Sequence, residues 1–487
     1  GTKGMGAGAV ALGFYDNNVQ AVIAGDGQQG AEVDAAEAVN VTANLTYPLL
    51  TQPLDVLNPV EFFKSGLTGL ATFLEGDLGI QRKLFNTSVK TGGSTTGEFS
   101  FAGGFSITDF VNVVDARIQS GAKINQTDDS DATASVFRSG NQNVEILART
   151  QIDLIQSVGQ LALNLNDTGI MGAFKKDGAS RGGFSKLVNP IGNSSGKGGL
   201  GGSFLLTFLH NDTTASIEAA DVYTSQFGGL TVTAEEEIMS FSFAQSGGDA
   251  GTFGLSGSVA LVDQQSSTHA EIATGASVTG GPVDVDATSA ETCITIAGAI
   301  QTGKSIGIGA SIAINDIGRD TASWIGNSVG QQPGNGATQI DVSGHVDLDA
   351  ASKGSIFSFS LAGAIVKNVA QEPEDALDGV TLPTLFGDAE GAPTEDDDGN
   401  ASDPSPGQGT TGLGIAGDVS LNTIDDTAVA CINDSGQFNS DSLSLTGTNR
   451  TNLIAASGAV AIVKGGSHKM PLGIAGSFSR NVLIGHT

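Results

Sequence analysis

The chain has 487 residues, with 70 glycines, 12 prolines and only 15 % charged side chains, and its 52 acidic against 22 basic residues give a net charge of −30. That balance excludes a phosphate-tracking nucleic-acid binder, which needs a basic stripe, and adsorption to anionic lipid. The low proline content excludes collagen and proline-rich linkers, and no run approaches the ~18 apolar residues of a membrane helix.

One phrase recurs from the start of the chain. It reads Gly8-Ala9-Val10-Ala11-Leu12, then Gly103-Gly104-Phe105-Ser106-Ile107, Gly202-Ser203-Phe204-Leu205-Leu206 and Gly257-Ser258-Val259-Ala260-Leu261. It continues as Ala310-Ser311-Ile312-Ala313-Ile314, Gly417-Asp418-Val419-Ser420-Leu421 and Gly476-Ser477-Phe478-Ser479-Arg480. Complete copies close on phrases such as Ala270-Glu271-Ile272 and Ala430-Cys431-Ile432. The intervals between successive anchors are 95, 99, 55, 53, 107 and 59. The three shortest define the basic unit, and the three longest mark units that carry insertions. A recurring period of this kind marks a solenoid or array.

Each unit has a second half of alternating, then Gly/Ala-rich sequence. Examples are Val283-Asp284-Val285-Asp286-Ala287 leading to Ile294–Ile300, and Val346 and Leu348 leading to Phe357–Ile365. The period is two, so these are strands. In the fourth head Val259 and Leu261 point one way, Ser258 and Ala260 the other. The large residues are expected to line a core. The small ones either admit another sheet closely or sit in solvent. The pattern predicts an all-β fold, a parallel β-solenoid of 53–59-residue units with inserted helical and disordered loops, glycines taking the corners. An array of small antiparallel sandwiches is the alternative.

The predicted organisation in chain order is a first unit over 1–46, an insertion over 47–95, a unit over 96–163, a basic glycine-rich insertion over 164–199, units over 200–367, an acidic disordered insertion over 368–411, and units over 412–487, the last truncated. In the first insertion Asn58-Pro59-Val60-Glu61 reads as a helix start. Phe63, Leu67, Leu70 and Leu74 follow at helical spacing up to Gly76, as a stripe that covers the solenoid or meets a partner. The second insertion holds Lys175, Lys176, Arg181, Lys186 and Lys197, a basic loop able to meet the acidic surface of another copy, or a solvated loop. The third holds Asp396, Asp397 and Asp398. These are candidate Ca²⁺ ligands, although they lack the ligand spacing of an EF-hand.

Little else points to chemistry. His210, His269, His345, His468 and His486 form no metal-ligand spacing. No nucleophile elbow or dinucleotide fingerprint is present. Asp284 and Asp286 share a strand face, so they are either a carboxylate pair acting on glycans or the solvated side of a strand. Cys293 and Cys431 either bridge or stand as separate buried thiols. Asn40, Asn44, Asn211 and Asn449 head glycosylation sequons, which matter only in a glycosylating secretory pathway.

The repeated units, for example Gly309-Ala310-Ser311-Ile312-Ala313-Ile314-Asn315 with Thr321-Ala322-Ser323-Trp324-Ile325-Gly326 and Val346-Asp347-Leu348-Asp349-Ala350, resemble those of giant repetitive bacterial surface adhesins of the filamentous-haemagglutinin and leukotoxin-like filamentous type. The resemblance implies a secreted, extracellular or cell-surface β-helical rod serving attachment, with no catalytic residues and no cofactor beyond the Ca²⁺ candidates. The chain begins Gly1-Thr2-Lys3, without Met, as a processed or partial chain would. Both ends fall at the same repeat phase, so other copies are expected end to end, or a longer chain, with surface glycans as further partners. A polysaccharide-acting β-helix enzyme and a calcium-dependent binding module are the alternative functions.

Overall fold

A computed structural model of the chain describes residues 4–25, 30–47, 87–91, 93–94, 98–126, 141–159, 193–195, 197–327, 337–366, 412–433, 435–463 and 471–487. Among these residues there is no helix; every regular element is a strand, and every strand pairing is parallel. Among the described residues the chain is a parallel β-solenoid of six full coils and the head strand of a seventh.

Each coil has three sides. The repeated heads form a seven-stranded head sheet: Gly4–Ile23, Phe99–Ile118, Gly198–Ile217, Phe253–Ala273, Ile306–Gly326, Gly412–Asn433 and Pro471–His486. A six-stranded corner sheet follows, built from short pieces such as Ser277–Gly280 and Thr338–Val342. The chain then runs back through a return sheet whose main strands are Ala38–Tyr47, Asn143–Gly159, Leu230–Ala250, Val283–Gly303, His345–Val366 and Ser442–Val463. At ~3.3 Å per residue a 20-residue strand is ~66 Å long, whereas six steps of ~4.8 Å make the stack ~29 Å tall.

The register is the one the anchors predict. Gly8, Gly103, Gly202, Gly257, Ala310, Gly417 and Gly476 are direct neighbours in the head sheet, residue for residue. Corners are set by glycine where the backbone needs positive φ. Gly275 (φ 88°) and Gly121 (φ 80°) turn the chain from head to corner sheet, and Gly280 (φ 129°) and Gly344 (φ 130°) turn it into the return sheet.

The core is wide at the corner sheet and thin at the opposite end. At the wide end Ile272, Val278, Val283 and Val285 of one coil are fully buried, and their equivalents Ile325, Ile340, Val346 and Leu348 join them in one cluster. Burial of such side chains stabilises by roughly 1.5–3 kcal/mol each. At the thin end only two residues, 304–305, link Val283–Gly303 to Ile306–Gly326. There the head and return sheets meet through Ala260, Ala297 and Ala313, all fully buried. A Cβ added to Gly309 would stand 2.2 Å from the carbonyl oxygen of Gly363, so backbones approach too closely for any side chain.

One expectation is overturned by this packing. In the heads it is the small face, Ser258 and Ala260, that is buried, and Val259 and Leu261 point outward. The interior between the two closely spaced sheets is filled mostly by small side chains, with Leu205 and Val158 the larger ones among Ala260, Ala297 and Ala313, so most of the bulky face is displaced to the surface. The reading in which small residues admit a second sheet is the one realised. The predicted helix at Asn58–Gly76 lies outside the described residues.

Two sets of interior asparagines pair along the stack. Asn17 donates to Asn112 (2.8 Å) and Asn112 to Asn211 (2.6 Å). A second ladder runs from Asn315 to Asn422 (2.7 Å) and from Asn422 to Asn481 (2.7 Å).

Candidate interaction surface

The outward face of the head sheet is divided along the strands. Near the thin end, next to a terminal row of Gly4, Phe99, Gly198, Phe253, Ile306, Leu413 and Leu472, lie three apolar rows and one glycine row, each running across all seven coils. The first is Gly6, Phe101, Leu200, Leu255, Ile308, Ile415, Ile474. Next comes the glycine row already given. The third is Val10, Phe105, Phe204, Val259, Ile312, Val419, Phe478, and the fourth is Leu12, Ile107, Leu206, Leu261, Ile314, Leu421, Arg480. Arg480 is the single charge in these four rows. Val10 is 68 % exposed, Phe101 50 %, Phe204 45 % and Phe478 56 %.

The glycine row is the floor of a groove. Its best-formed stretch, about 450 Å³, lies between Phe101, Leu200 and Leu255 on one bank and Val10, Phe105 and Phe204 on the other. Phe105 and Phe204 sit side by side on that bank, ring centres 6.4 Å apart. The chain's own packing requires few of these glycines: at Gly103 a Cβ would stand 2.9 Å from the Phe101 ring, but elsewhere in the row there is space. A Cβ on Gly8, Gly257 or Gly417 would meet only ordinary contacts near 3.8–3.9 Å, and one on Gly476 would meet nothing.

Acidic residues begin beyond the fourth row. Asp109, Asp263 and Asp316 occupy the next row, and Asp16, Asp212, Asp320 and Asp425 lie farther toward the corner sheet. The hydrogen bond with His269 lowers the pKa of Asp320 and outweighs burial, which acts to raise it.

The return sheet treats its outward apolar row differently. Ile155, Phe241, Ile294 and Phe357 are neighbours in register and are only 1–5 % exposed. Nearer the corner sheet its outward face carries carboxylates. Asp284 pairs across the sheet with Asp347, and Asp286 with Asp349. The sequence pair thus becomes a square of four acids on the outward side of a strand. Burial and then its neighbours Asp284, Asp349 and Asp347 push Asp286 up to about 6. His345 lies 3.1 Å from Asp284. Among the described residues no group of three or more His, Cys, Asp or Glu is placed to hold a metal ion.

A charged cluster missed by the sequence reading lies inside. Arg319 is fully buried, its Nε and Nη2 donating to the two carboxylate oxygens of Asp426 at 2.8 and 2.6 Å. It also donates to the Lys353 carbonyl (2.6 Å) and to Thr451 (2.6 Å). Glu291 lies 3.7 Å away and accepts from Gln264, and Ser289 donates to the nearby Glu236. Burial pushes both glutamates up to about 7. Gly354 makes the room: a Cβ there would stand 2.7 Å from the guanidinium. The signal was available in the aligned heads, where Arg319 and Asp426 follow Asn17, Asn112, Asn211 and Ser266 at one inward position.

The remaining candidates divide cleanly. Asp396, Asp397 and Asp398, and Lys175, Lys176, Arg181 and Lys186, lie outside the described residues, as does His468. Lys197 pairs with Glu98 at 2.7 Å. Cys293 is buried, Cys431 half-buried, and both are free thiols. Asn40 and Asn44 face outward, whereas Asn211 is buried in its ladder and Asn449 hydrogen-bonds the Asp426 carbonyl, so these last two are not open to a glycan. Among the described residues no helix is long and apolar enough to cross a membrane.

The chain belongs by its geometry to the parallel β-solenoids. Compared with known proteins, it matches no family model, no curated sequence and no solved structure.

Proposed function

We propose that the chain is a structural, adhesive segment of an extracellular surface protein, a solenoid that stacks on other copies or continues into a filament. The observation that supports this reading is the register. The seven head strands keep every row aligned, even where 107 residues separate neighbours such as Asn315 and Asn422. Such order serves extension along the stack axis. Among the described residues the outermost head strands, Gly4–Ile23 and Pro471–His486, each pair on one side only, and open edges of this length accept further strands. The acidic surface keeps such an assembly soluble.

Electron microscopy of the native material tests the reading. Filaments or stacked particles with a ~4.8 Å axial repeat are expected. Isolated particles of one size at every concentration would overturn it. So would depolymerase turnover on a glycan panel that Asp284→Asn or Asp286→Asn abolishes, which would assign the chain to glycan chemistry at the carboxylate square instead.

A further inference from the structure

We propose that the outward face of the head sheet is a lateral docking surface for a second copy of this chain, the two related by a twofold axis parallel to the stack. The proposal does not depend on end-to-end growth.

Size comes first. Four rows spaced ~6.6 Å and seven coils spaced ~4.8 Å make a flat area of about 900 Å². A stable complex covers ~800 Å² per partner, and monomers rarely leave so large an apolar patch open. The equivalent row of the return sheet, Ile155 to Phe357, is buried; the head-sheet rows are half-buried to exposed.

Shape comes next. The face is a ridge, a groove, and two further ridges. A twofold axis placed between the glycine row and the Phe204 row sets the ridge of each copy into the groove of the other. The same operation lays the Leu200 row on the Leu206 row. An isologous contact of this kind satisfies both surfaces with one interface. It also accounts for glycines that the chain's own packing leaves unexplained.

Charge then selects the axis. With a twofold parallel to the stack, the row of Asp109, Asp263 and Asp316 lies at opposite rims in the two copies, each row facing the other copy's Phe99, Phe253 and Ile306. About ten residues of strand separate those rims, ~33 Å, well beyond the ~8 Å screening length at physiological salt. A twofold parallel to the strands would instead place these acids face to face at a sheet spacing of ~10 Å.

Sedimentation equilibrium of the whole chain, with cross-linking, tests this. The expected result is a dimer whose dissociation constant rises about 1,000-fold in Phe204→Asp, the loss of one buried aromatic anchor from each copy, with circular dichroism unchanged because Phe204 points outward. Asp212→Asn, farther toward the corner sheet and outside the contact, should leave it unchanged. A short bismaleimide in a Cys431→Ser background should join Leu200→Cys to Leu206→Cys in a mixture. It should join neither variant to itself, since like positions lie about 20 Å apart. Self-linking of each single variant would overturn the twofold. A chain monomeric at its highest soluble concentration would overturn the docking surface. Binding of Phe204-dependent monomers to phosphatidylcholine vesicles would overturn it too, assigning the face to lipid.

Discussion

Gly309 and Gly417 are both strand glycines, yet they answer to different constraints. Gly309 faces the return sheet, and a Cβ would stand 2.2 Å from one carbonyl and 3.1 Å from the Ala299 carbonyl. Gly309→Ala must push two backbones apart and should lower stability by about 1–3 kcal/mol. Gly417 faces outward with its nearest contact at 3.9 Å, and its neighbour in the row is already Ala310. Gly417→Ala should leave the urea midpoint unchanged or slightly raised, since glycine weakens a strand. The charged cluster carries a second residue-scale prediction. Glu236 and Glu291 titrate near 7 when folded, against a reference of 4.5. The folded state therefore holds more protons than the unfolded state between these values, and stability falls as pH rises from 4.5 to 7. Arg319 faces the same cavity and limits the loss, whereas the charge of Asp426 adds to it at Glu291. Thermal unfolding should show a lower midpoint at pH 8 than at pH 5, with the drop reduced in Glu236→Gln. A midpoint that rises over this window would contradict the assignment.

At the scale of the strand, alternation is legible in the sequence and the direction of its faces is not. Val259 and Ser258 establish a period of two, but which one turns inward depends on how close the opposing sheet comes. That distance is set by residues far along the chain, such as Ala297 and Gly363. The rule that large apolar residues seek the core fails here because the facing strands are themselves lined with small residues. The rule holds at the wide end, where Val283 and Val285 have the short corner strands opposite them. Those corner strands, two to five residues long, leave too few alternations to be read as a third side. The asparagine ladders are likewise a property of stacked strands rather than of any one strand. Asn422 holds its ladder from the middle, donating to Asn481 and accepting from Asn315. Asn422→Ala strands a buried amide on Asn315 and should cost about 1–3 kcal/mol in denaturant unfolding, whereas Asn481→Ala, at the open edge, should cost less.

At the scale of the molecule, aligning the heads by their anchor residues, six glycines and Ala310, reproduces the register of the head sheet, because similar phrases stack on themselves. The interaction surface and the buried ion pair are invisible to that alignment until each column is given a direction, inward or outward. Ile314 reads as core in a single head and as one rung of an open face once its six neighbours are known. The same register has a consequence for the polymer chain itself. The neighbouring strands Phe253–Ala273 and Ile306–Gly326 close a loop of one plain coil, whereas Ile306–Gly326 and Gly412–Asn433 close one twice as long. Closure entropy grows only with the logarithm of loop length, so that doubling costs about 0.6 kcal/mol. A coil can therefore carry a segment as long as itself for less than the stabilisation from one buried valine, and the fold works as a frame on which long passages of sequence are mounted without loosening what they hang from.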